Sequence, residues 1–357
     1  MGGTYPFEVD VVDNEGNKLA TTFDVGFYLK QIRIDGFITS YFLEESKGLY
    51  WLSITNPNSI LALSMNDLSI VKRIDLDILP SRKRLNPFNG KMYILNLNRD
   101  SNIYVLDLSN GQIVKTIPNL PLEDDHPQFP AVFPFDIDFL SDGYGVVLLK
   151  AEGATMFRWK IIESANDIDL FLHPRQNDGI GGARFNFTGL SSNFNKTKIF
   201  LMNVGVDSDV GAIDQQSKEL TITRPLEGST RILNIKANRL NSSVFIVHSW
   251  HQYVAQDIPG ALSNYLFRLY DLEWSNDFDY YPGNGKKVYY LGSGDIALYD
   301  FNSQQILSWY NALYDMKGLT ATTDGKYLIT YRNESATDQA KSISSIYQFS
   351  AQSIRGW

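Results

Sequence analysis

The chain has 357 residues, 43% of them hydrophobic and 13% aromatic, which is enough apolar material for a large globular core. Its net charge is −8 and its longest basic run is Arg82-Lys83-Arg84, so it lacks the basic footprint of a nucleic-acid-binding protein. The absence of cysteine excludes disulfides, cysteine-ligated zinc, iron–sulfur clusters and cysteine nucleophiles. No apolar run approaches the roughly 20 residues of a membrane-spanning helix, so we expect no transmembrane segment.

The N-terminal region carries strand patterns that differ from those in the rest of the chain. Residues 7–23 (FEVDVVDNEGNKLATTF) form a hairpin pattern, and residues 31–35 (QIRID) indicate another strand. No basic-then-apolar signal region precedes them, and the opening Met-Gly-Gly is consistent with a mature sequence whose signal has been removed.

Four hairpin patterns share one internal spacing. Residues 103–117 (IYVLDLSNGQIVKTI) consist of two alternating apolar runs around a Ser-Asn-Gly break, and similar segments occur at 60–74, 210–224 and 296–310. In each, two apolar residues stand ten positions apart: Ile60/Ile70, Ile103/Ile113, Val210/Leu220 and Ile296/Ile306. A slip of one residue would turn every core side chain outward, so constant spacing is typical of hairpins with short polar turns.

Each hairpin belongs to a larger unit of four predicted strands. A strand rich in β-branched and aromatic residues comes before it, as in KMYILNL (91–97) and KYLITYR (326–332). A shorter, more polar strand comes before that, as in FDIDFL (135–140), and most of the turns between the two contain Asn-Gly or Asp-Gly. The unit recurs about seven times at intervals of about 40 to 50 residues.

Four strands per unit at this interval are the signature of a β-propeller. We therefore predict an all-β fold in which residues 1–357 form a single, WD40-like propeller with seven four-stranded blades around a central channel. A pair of β-sandwich domains is the alternative, but it does not explain the constant spacing. The last unit lacks an outer strand after residues 346–350, so we expect the N-terminal residues 1–36 to close the ring. An eighth, incomplete blade is the alternative.

The segment IYVLDLSNGQIVKTI also resembles the YVTN-type propeller repeat of surface-layer and other exported prokaryotic proteins, which is similar to the propeller of the quinoprotein amine dehydrogenase β-chain. The second, fourth and sixth units carry the resemblance, and the others follow it more loosely. It implies seven blades and an extracytoplasmic location, in the periplasm or on the cell surface. It implies no single activity, because one fold hosts many functions.

Three insertions into the repeat indicate where a ligand binds, since the loops of a propeller carry its specificity. They lie at 118–134, 173–184 and 248–264, and all four histidines fall in or beside them. Aromatic faces stack on sugars and arginine forks bind carboxylates, so residues of these types form our candidate face. Its members are His126, His173, Arg175, Arg184, Trp250, Tyr253 and Arg332.

Two pairs of residues are candidate metal ligands. His248 and His251 could hold a divalent ion such as zinc with a carboxylate from a neighbouring loop, although their spacing converges best on a helix. Asp207 and Asp209 could bind calcium, but the glycine and downstream glutamate of a complete loop are missing and a polar turn is the alternative. Beyond such a metal, no cofactor is predicted.

The leading functional hypothesis is an exported, non-enzymatic propeller that binds a glycan, peptide or protein on its loop-rich face. It depends on the predicted ring, the acidic charge and the lack of a compact catalytic motif. One alternative is a metal-dependent lyase or lactonase-like hydrolase that uses His248, His251 and a carboxylate. Another is a structural surface-layer element whose partner is a second copy of itself.

Overall fold

The computed structural model describes residues 4–12, 15–16, 18–26, 28–98, 100, 102–118, 132–151, 157–163, 170–172, 187–193, 195–203, 210–223, 234–237, 244–248, 252–256, 277–280, 287–292, 295–300, 303, 305–311, 315–322, 324–334 and 342–351. In this part of the chain the structure is almost entirely β, with one short 3₁₀ helix at Glu45–Lys47. No helix among the described residues is long and apolar enough to cross a membrane.

The strands form one N-terminal hairpin and seven antiparallel sheets. The N-terminal strands are β1 (Thr4–Val12), β2 (Lys18–Gly26) and β3 (Lys30–Asp35). Sheet 1 contains β4 (Phe37–Glu44), β5 (Leu49–Thr55), β6 (Ser59–Ser64) and β7 (Ile70–Asp75). Sheet 2 contains β8 (Pro80–Leu85), β9 (Met92–Asn96), β10 (Asn102–Asp107) and β11 (Gln112–Pro118). Sheet 3 contains β12 (Val132–Phe139), β13 (Tyr144–Ala151), β14 (Phe157–Glu163) and β15 (Leu170–Leu172).

The remaining sheets follow the same order. Sheet 4 contains β16 (Phe187–Ser192), β17 (Lys198–Asn203), β18 (Val210–Asp214) and β19 (Leu220–Thr223). Sheet 5 is described by β20 (Asn234–Ala237), β21 (Val244–His248) and β22 (Gln252–Gln256). Sheet 6 contains β23 (Asp277–Tyr280), β24 (Lys287–Leu291), β25 (Asp295–Asp300) and β26 (Gln305–Asn311). Sheet 7 contains β27 (Lys317–Ala321), β28 (Tyr327–Glu334) and β29 (Ile343–Ser350), with β3 as its outer strand.

The sheets are arranged in a ring. Contacts between first strands join sheets 1 to 5 in order through β4, β8, β12, β16 and β20, and β27 lies between β23 and β4. Consecutive strands within each sheet are hydrogen-bonded neighbours, so the first strand is always the innermost. These sheets are the blades of a β-propeller, and the predicted fold class is confirmed. We number the blades as the sheets.

The hairpin at 103–117 shows how one blade obtains its core. Ile103 pairs with Ile117 across β10 and β11, and both side chains are buried together with Phe139 and Val147 of blade 3. On the other face Leu106 packs into a cluster that includes Trp51 of blade 1. A two-stranded hairpin is marginally stable in water, so this one depends on the blades on either side of it.

The N-terminal segment divides into two parts. Strands β1 and β2 form a separate two-stranded sheet, and β2 lies beside β26 of blade 6. Strand β3 instead pairs with β29, from Ile343 opposite Asp35 to Gln348 opposite Lys30. Gly36, with a φ of +103°, then turns the chain from the outer strand of blade 7 into the inner strand of blade 1. The first and last blades are therefore tied together by hydrogen bonds of the backbone.

One interpretation of the sequence is wrong. Residues 248–264 do not form a single inserted loop, because residues 252–256 form β22 and pair with β21 across a gap of only three residues. The apolar alternation of this stretch fits the ladder, in which Tyr253 lies opposite Val247 and Val254 opposite Ile246. The long interval of this region is residues 257–276, between β22 and β23.

Candidate functional site

The inner strands of neighbouring blades run side by side in the same direction. In blade 3, the Asp136 carboxylate accepts a hydrogen bond from the backbone N–H of Leu190 at 3.3 Å, and Asp138 accepts one from Ser192 at 2.8 Å. The equal spacing along β12 and β16 shows that the two strands are aligned from start to end. Blades 6 and 7 repeat the pattern, with Asp277 accepting from Leu319 at 3.0 Å and Asp279 from Ala321 at 2.8 Å.

The inner strands therefore all begin at one end of the channel. We call this end the channel mouth and define it by Tyr41, Arg82, Phe135, Asp277 and Tyr331. Five inner strands have a register irregularity in their first half, where a bulge alters the direction of side chains. The residues in or beside these irregularities are Thr39, Ser81, Arg82, Phe135, Thr188, Gly318 and Leu319.

Arg82 is held in place at the mouth by blade 3. Its Nη1 atom forms an ion pair with Asp136, and its guanidinium carbon lies 5.0 Å from the ring centroid of Phe135. The Asp136 side chain is fully buried, whereas 40% of the Arg82 side chain is exposed. A charged pair buried on one side fixes the guanidinium plane, so Arg82 is a preorganised hydrogen-bond donor at the channel surface.

Tyrosines from blades 1 and 7 form the opposite side of the mouth. The Tyr41 hydroxyl donates to the Asp277 carboxylate and so connects blade 1 to blade 6 across the inner strand of blade 7. Tyr41 packs on Tyr331 with ring centroids 6.0 Å apart. A Cβ atom at Gly318 would overlap Tyr331 Cε1 and lie 2.7 Å from Tyr331 Cδ1 and 2.8 Å from Tyr41 Cε1, so the glycine provides the space for both rings.

The phenol groups act as donors at neutral pH. Burial raises the pKa of Tyr331, the Asp277 carboxylate raises it further, and the Arg82 guanidinium lowers it. Burial together with Asp277 also raises the pKa of Tyr41.

The next two residues of β8, Lys83 and Arg84, are also basic, and Lys83 lies in the interface between blades 1 and 2. Arg84 is half-buried and donates from Nη1 to the carbonyl of Lys83 at 3.0 Å. Lys83 is fully buried between blades 1 and 2, where Nζ lies 3.0 Å from Ser53 Oγ and 3.3 Å from Ser40 Oγ. Burial lowers the pKa of Lys83 well below its usual range, and Arg84 lowers it further.

The carboxylates of the inner strands are used inside the protein. Burial raises the pKa of Asp138, but Lys196, Arg84 and the hydrogen bond from Ser192 lower it by more, so the pKa lies below its usual value. Lys196 Nζ lies 3.3 Å from Asp138. Asp136 and Asp138 thus connect neighbouring blades through backbone N–H groups and pair with Arg82 and Lys196.

Comparison with known proteins agrees with the topology. No family profile matches the sequence, and no curated protein is similar to it in sequence. The structure is similar to the β-propeller domain of Cps50 (Swd1) from Myceliophteria thermophila, with a TM-score of 0.58, 8% identity and coverage of 91% of this chain and 99% of that one. It is similar to the Dos1 propeller, with a TM-score of 0.56, 9% identity and coverage of 96% and 81%.

A third similar structure is the hydrazine synthase of Kuenenia stuttgartiensis, with a TM-score of 0.55, 11% identity and coverage of 82% of this chain and 92% of that one. The chain is a β-propeller. At these identities the likeness shows the fold and carries no function, so the functional argument depends on the site itself.

The residues that the sequence analysis selected are mostly outside the described part of the propeller. These are His126, His173, Arg175, Arg184, Trp250, His251, Asp207 and Asp209. The backbones of His248 and Tyr253 lie in β21 and β22, where they pair with Gln252 and Val247. The metal hypothesis thus stays a prediction, and the described residues contain no group of three possible metal ligands.

Arg332 is the one selected residue whose side chain is described. It is half-buried in β28, opposite Ser345 of β29. Because successive side chains of a strand point to opposite faces, Arg332 lies on the other face of blade 7 from Tyr331. Tyr331, the residue before Arg332, is the one that belongs to the channel mouth.

Sequence reasoning missed the mouth residues although two signals pointed to them. Arg82-Lys83-Arg84 is the longest basic run of the chain, but it served only as evidence against nucleic-acid binding. The Asp-x-Asp pattern occurs in FDIDFL (135–140) and again in DFDY (277–280), at the starts of two units. Aspartates at alternate positions of an inner strand indicate the hydrogen bonds that join this strand to the backbone of the next blade.

Proposed function

We propose that this propeller is a non-catalytic binding protein whose ligand, a peptide, a protein or a glycan, is recognised at the channel mouth. One observation carries the proposal. Arg82 is anchored by a buried acid, and 40% of its side chain is exposed beside the ring of Phe135. Fixed polar groups around a concave apolar site are the usual composition of a ligand pocket.

The connections at the two ends of the ring also favour the channel mouth as the binding site. At the end opposite the mouth, turns between first and second strands are short and hydrogen-bonded, as at 86–91, 193–198 and 322–327. The strands on either side of 119–131 and 173–186 end or begin at the mouth, and β23, which follows residues 257–276, begins there. Two of these intervals contain insertions from the sequence analysis, and such segments commonly carry specificity.

The proposal is tested with peptide and glycan arrays probed with the wild-type protein and with Arg82→Gln. Glutamine keeps a donor for Asp136 but lacks the charge and the planar fork. Arg73→Gln is a matched control, because Arg73 also pairs with an aspartate and is 42% exposed, but lies on the outer strand β7. We expect ligands of the wild type to lose signal with Arg82→Gln and to keep it with Arg73→Gln.

Folding of both variants is checked by thermal unfolding, and Phe135→Leu gives a second mouth variant that retains the ion pair. Ligands that bind the wild type, both mouth variants and the control equally well would place recognition elsewhere and refute the proposal. So would the lack of any ligand on either array.

We further propose that the protein acts outside the cytoplasm. The likeness of residues 103–117 to the repeats of exported prokaryotic propellers supports this location. Fractionation of the source cells, followed by immunodetection in each fraction, tests it.

A further inference from the structure

We infer that the group which enters the channel mouth is a carboxylate of an acidic peptide, bound by Arg82 at the mouth and by Arg84 deeper in the channel. This inference rests on the proposed function and names the chemistry of its ligand. It begins from the position of the basic residues. In a chain of net charge −8, the longest basic run lies on β8, one of the strands that line the channel.

Strand geometry separates the three basic residues into two roles. Arg82 and Arg84 both act on acids of blade 3, since Arg82 pairs with Asp136 and Arg84 lowers the pKa of Asp138. Lys83 faces the opposite way and is buried against Ser53 of blade 1. Both guanidinium groups thus lie on the side of β8 that faces blade 3, and Arg84 is the farther of the two from the mouth.

The arginine of the channel mouth is much more exposed than its carboxylates. Asp136 is fully buried and Asp277 is 6% exposed, and each accepts a backbone N–H from the next blade. The Arg82 side chain, by contrast, is 40% exposed. An entering ligand therefore meets the charge of the guanidinium before that of the carboxylates.

Arg82 also has donors to offer. Its ion pair with Asp136 uses Nη1, and among the described residues Nη2 and Nε donate to no other group. A guanidinium has five N–H groups in a rigid fork, and the fork is already oriented by Asp136 and Phe135. Little conformational entropy is left to lose when a ligand binds.

The balance of donors and acceptors favours a carboxylate over a neutral sugar. An ionised carboxylate only accepts hydrogen bonds, whereas every sugar hydroxyl also needs an acceptor. The accessible polar group of the mouth is the Arg82 guanidinium, which only donates hydrogen bonds. Tyr331 is buried, the Tyr41 hydroxyl already donates to Asp277, and the two acids are nearly inaccessible. A glutamate or aspartate side chain, or a peptide C-terminus, satisfies the donors without requiring an acceptor.

The test uses a blocked tri-glutamate peptide, with the tri-glutamine peptide as an isosteric control. The Arg Nε–H signals of ¹⁵N-labelled protein are followed during titration at 50 mM NaCl, and the Arg82 signal is assigned by its loss in Arg82→Lys. We expect the glutamate peptide to shift this signal and the glutamine peptide to leave it unchanged. Affinity should fall about 10- to 100-fold in Arg82→Gln, as expected for hydrogen bonds between charged groups.

Several outcomes distinguish this inference from the proposal on which it rests. Equal binding of the two peptides would overturn it. So would an affinity for the glutamate peptide that Arg82→Gln leaves unchanged, or one that the outer-strand control Arg73→Gln lowers as much as Arg82→Gln does. An oligogalacturonate that binds more tightly than the peptide would assign the carboxylate to an acidic glycan and overturn the peptide class. An uncharged array ligand that depends on Arg82 would overturn the inference and leave the proposed function intact.

Discussion

Gly318→Ala tests whether the arrangement of rings at the channel mouth depends on the absence of one side chain. Gly318 has a φ of +67°, and an added Cβ would lie 2.7 Å from Tyr331 Cδ1 and 2.8 Å from Tyr41 Cε1. Ordinary van der Waals contacts of a Cβ atom lie between 3.4 and 4 Å. Both rings belong to the contact between blades 7 and 1, so the methyl group must move packed aromatic residues rather than a flexible surface chain.

The magnitude has two parts. A left-handed backbone costs an alanine roughly 1–2 kcal/mol relative to glycine. Overpacking against the rings costs about 1–3 kcal/mol more. Gly48→Ala isolates the first part, because Gly48 has a φ of +60° and nothing within 4 Å of an added Cβ. We therefore expect Gly318→Ala to lower the free energy of unfolding by about 1–3 kcal/mol more than Gly48→Ala.

Urea unfolding followed by tryptophan fluorescence and circular dichroism measures the difference. The effect of Gly318→Ala should also shrink in a Tyr331→Leu background, which removes the ring nearest to the new methyl group. Equal losses for Gly318→Ala and Gly48→Ala would refute the reasoning, because they would show that the rings at the mouth are loosely packed.

Two further predictions concern buried charges of the inner strands. Lys83→Met should raise the free energy of unfolding by about 1–4 kcal/mol at pH 7, since Ser40 and Ser53 still bond to each other. The pKa of Lys83 is lowered in the native state, so the stability of the wild type rises with pH up to the unfolded pKa of about 10.4. The stability that Lys83→Met gains over the wild type should therefore shrink towards pH 10. A variant less stable than the wild type would show that the hydrogen bonds of the amine outweigh the cost of its burial. Asp138→Asn should lower the free energy of unfolding, measured with urea at pH 7, by about 1–3 kcal/mol. Because the pKa of Asp138 is lowered in the native state, its contribution to stability is complete above the unfolded pKa of about 4. The difference in unfolding free energy between variant and wild type should therefore narrow as pH falls from 5 towards 3. A difference that does not change with pH would exclude the charge of Asp138 as its cause.

The repeat made most of the fold predictable from the sequence. The ten-residue spacing located the hairpins but was wrong about one core residue in each of two copies. Ile103 and Ile60 are buried, whereas Ile113 is half-buried and Ile70 is 54% exposed, because the fourth strand of a blade lies at its outer edge. The division of 248–264 was not predictable, because His248, Trp250 and His251 interrupt the apolar alternation that continues as β22. The break in the apolar pattern between β21 and β22 is typical of a loop, although only three residues separate the two strands.

The candidate site was less accessible to sequence reasoning because it is assembled across blades. Tyr41 and Asp277 are 236 positions apart and meet only because the ring closes between them. The strand pattern cannot identify which residues of a strand face the channel, since that depends on bulges such as the one between Pro80 and Lys83. A search for histidines and for long loops therefore overlooked an arginine in the middle of a strand.

The innermost strand of a blade has a free edge, and this edge explains why acids and bases of the channel play different roles. Its N–H groups face neither a fifth strand nor open solvent, so they need acceptors. Asp138 and Asp279 supply these from the preceding blade, and such buried charge-assisted bonds hold the ring together. A guanidinium or ammonium group has no acceptor for an N–H group and so cannot serve in that position. Arg82, held by its ion pair with Asp136 and by the ring of Phe135, is 40% exposed and can still donate to a ligand.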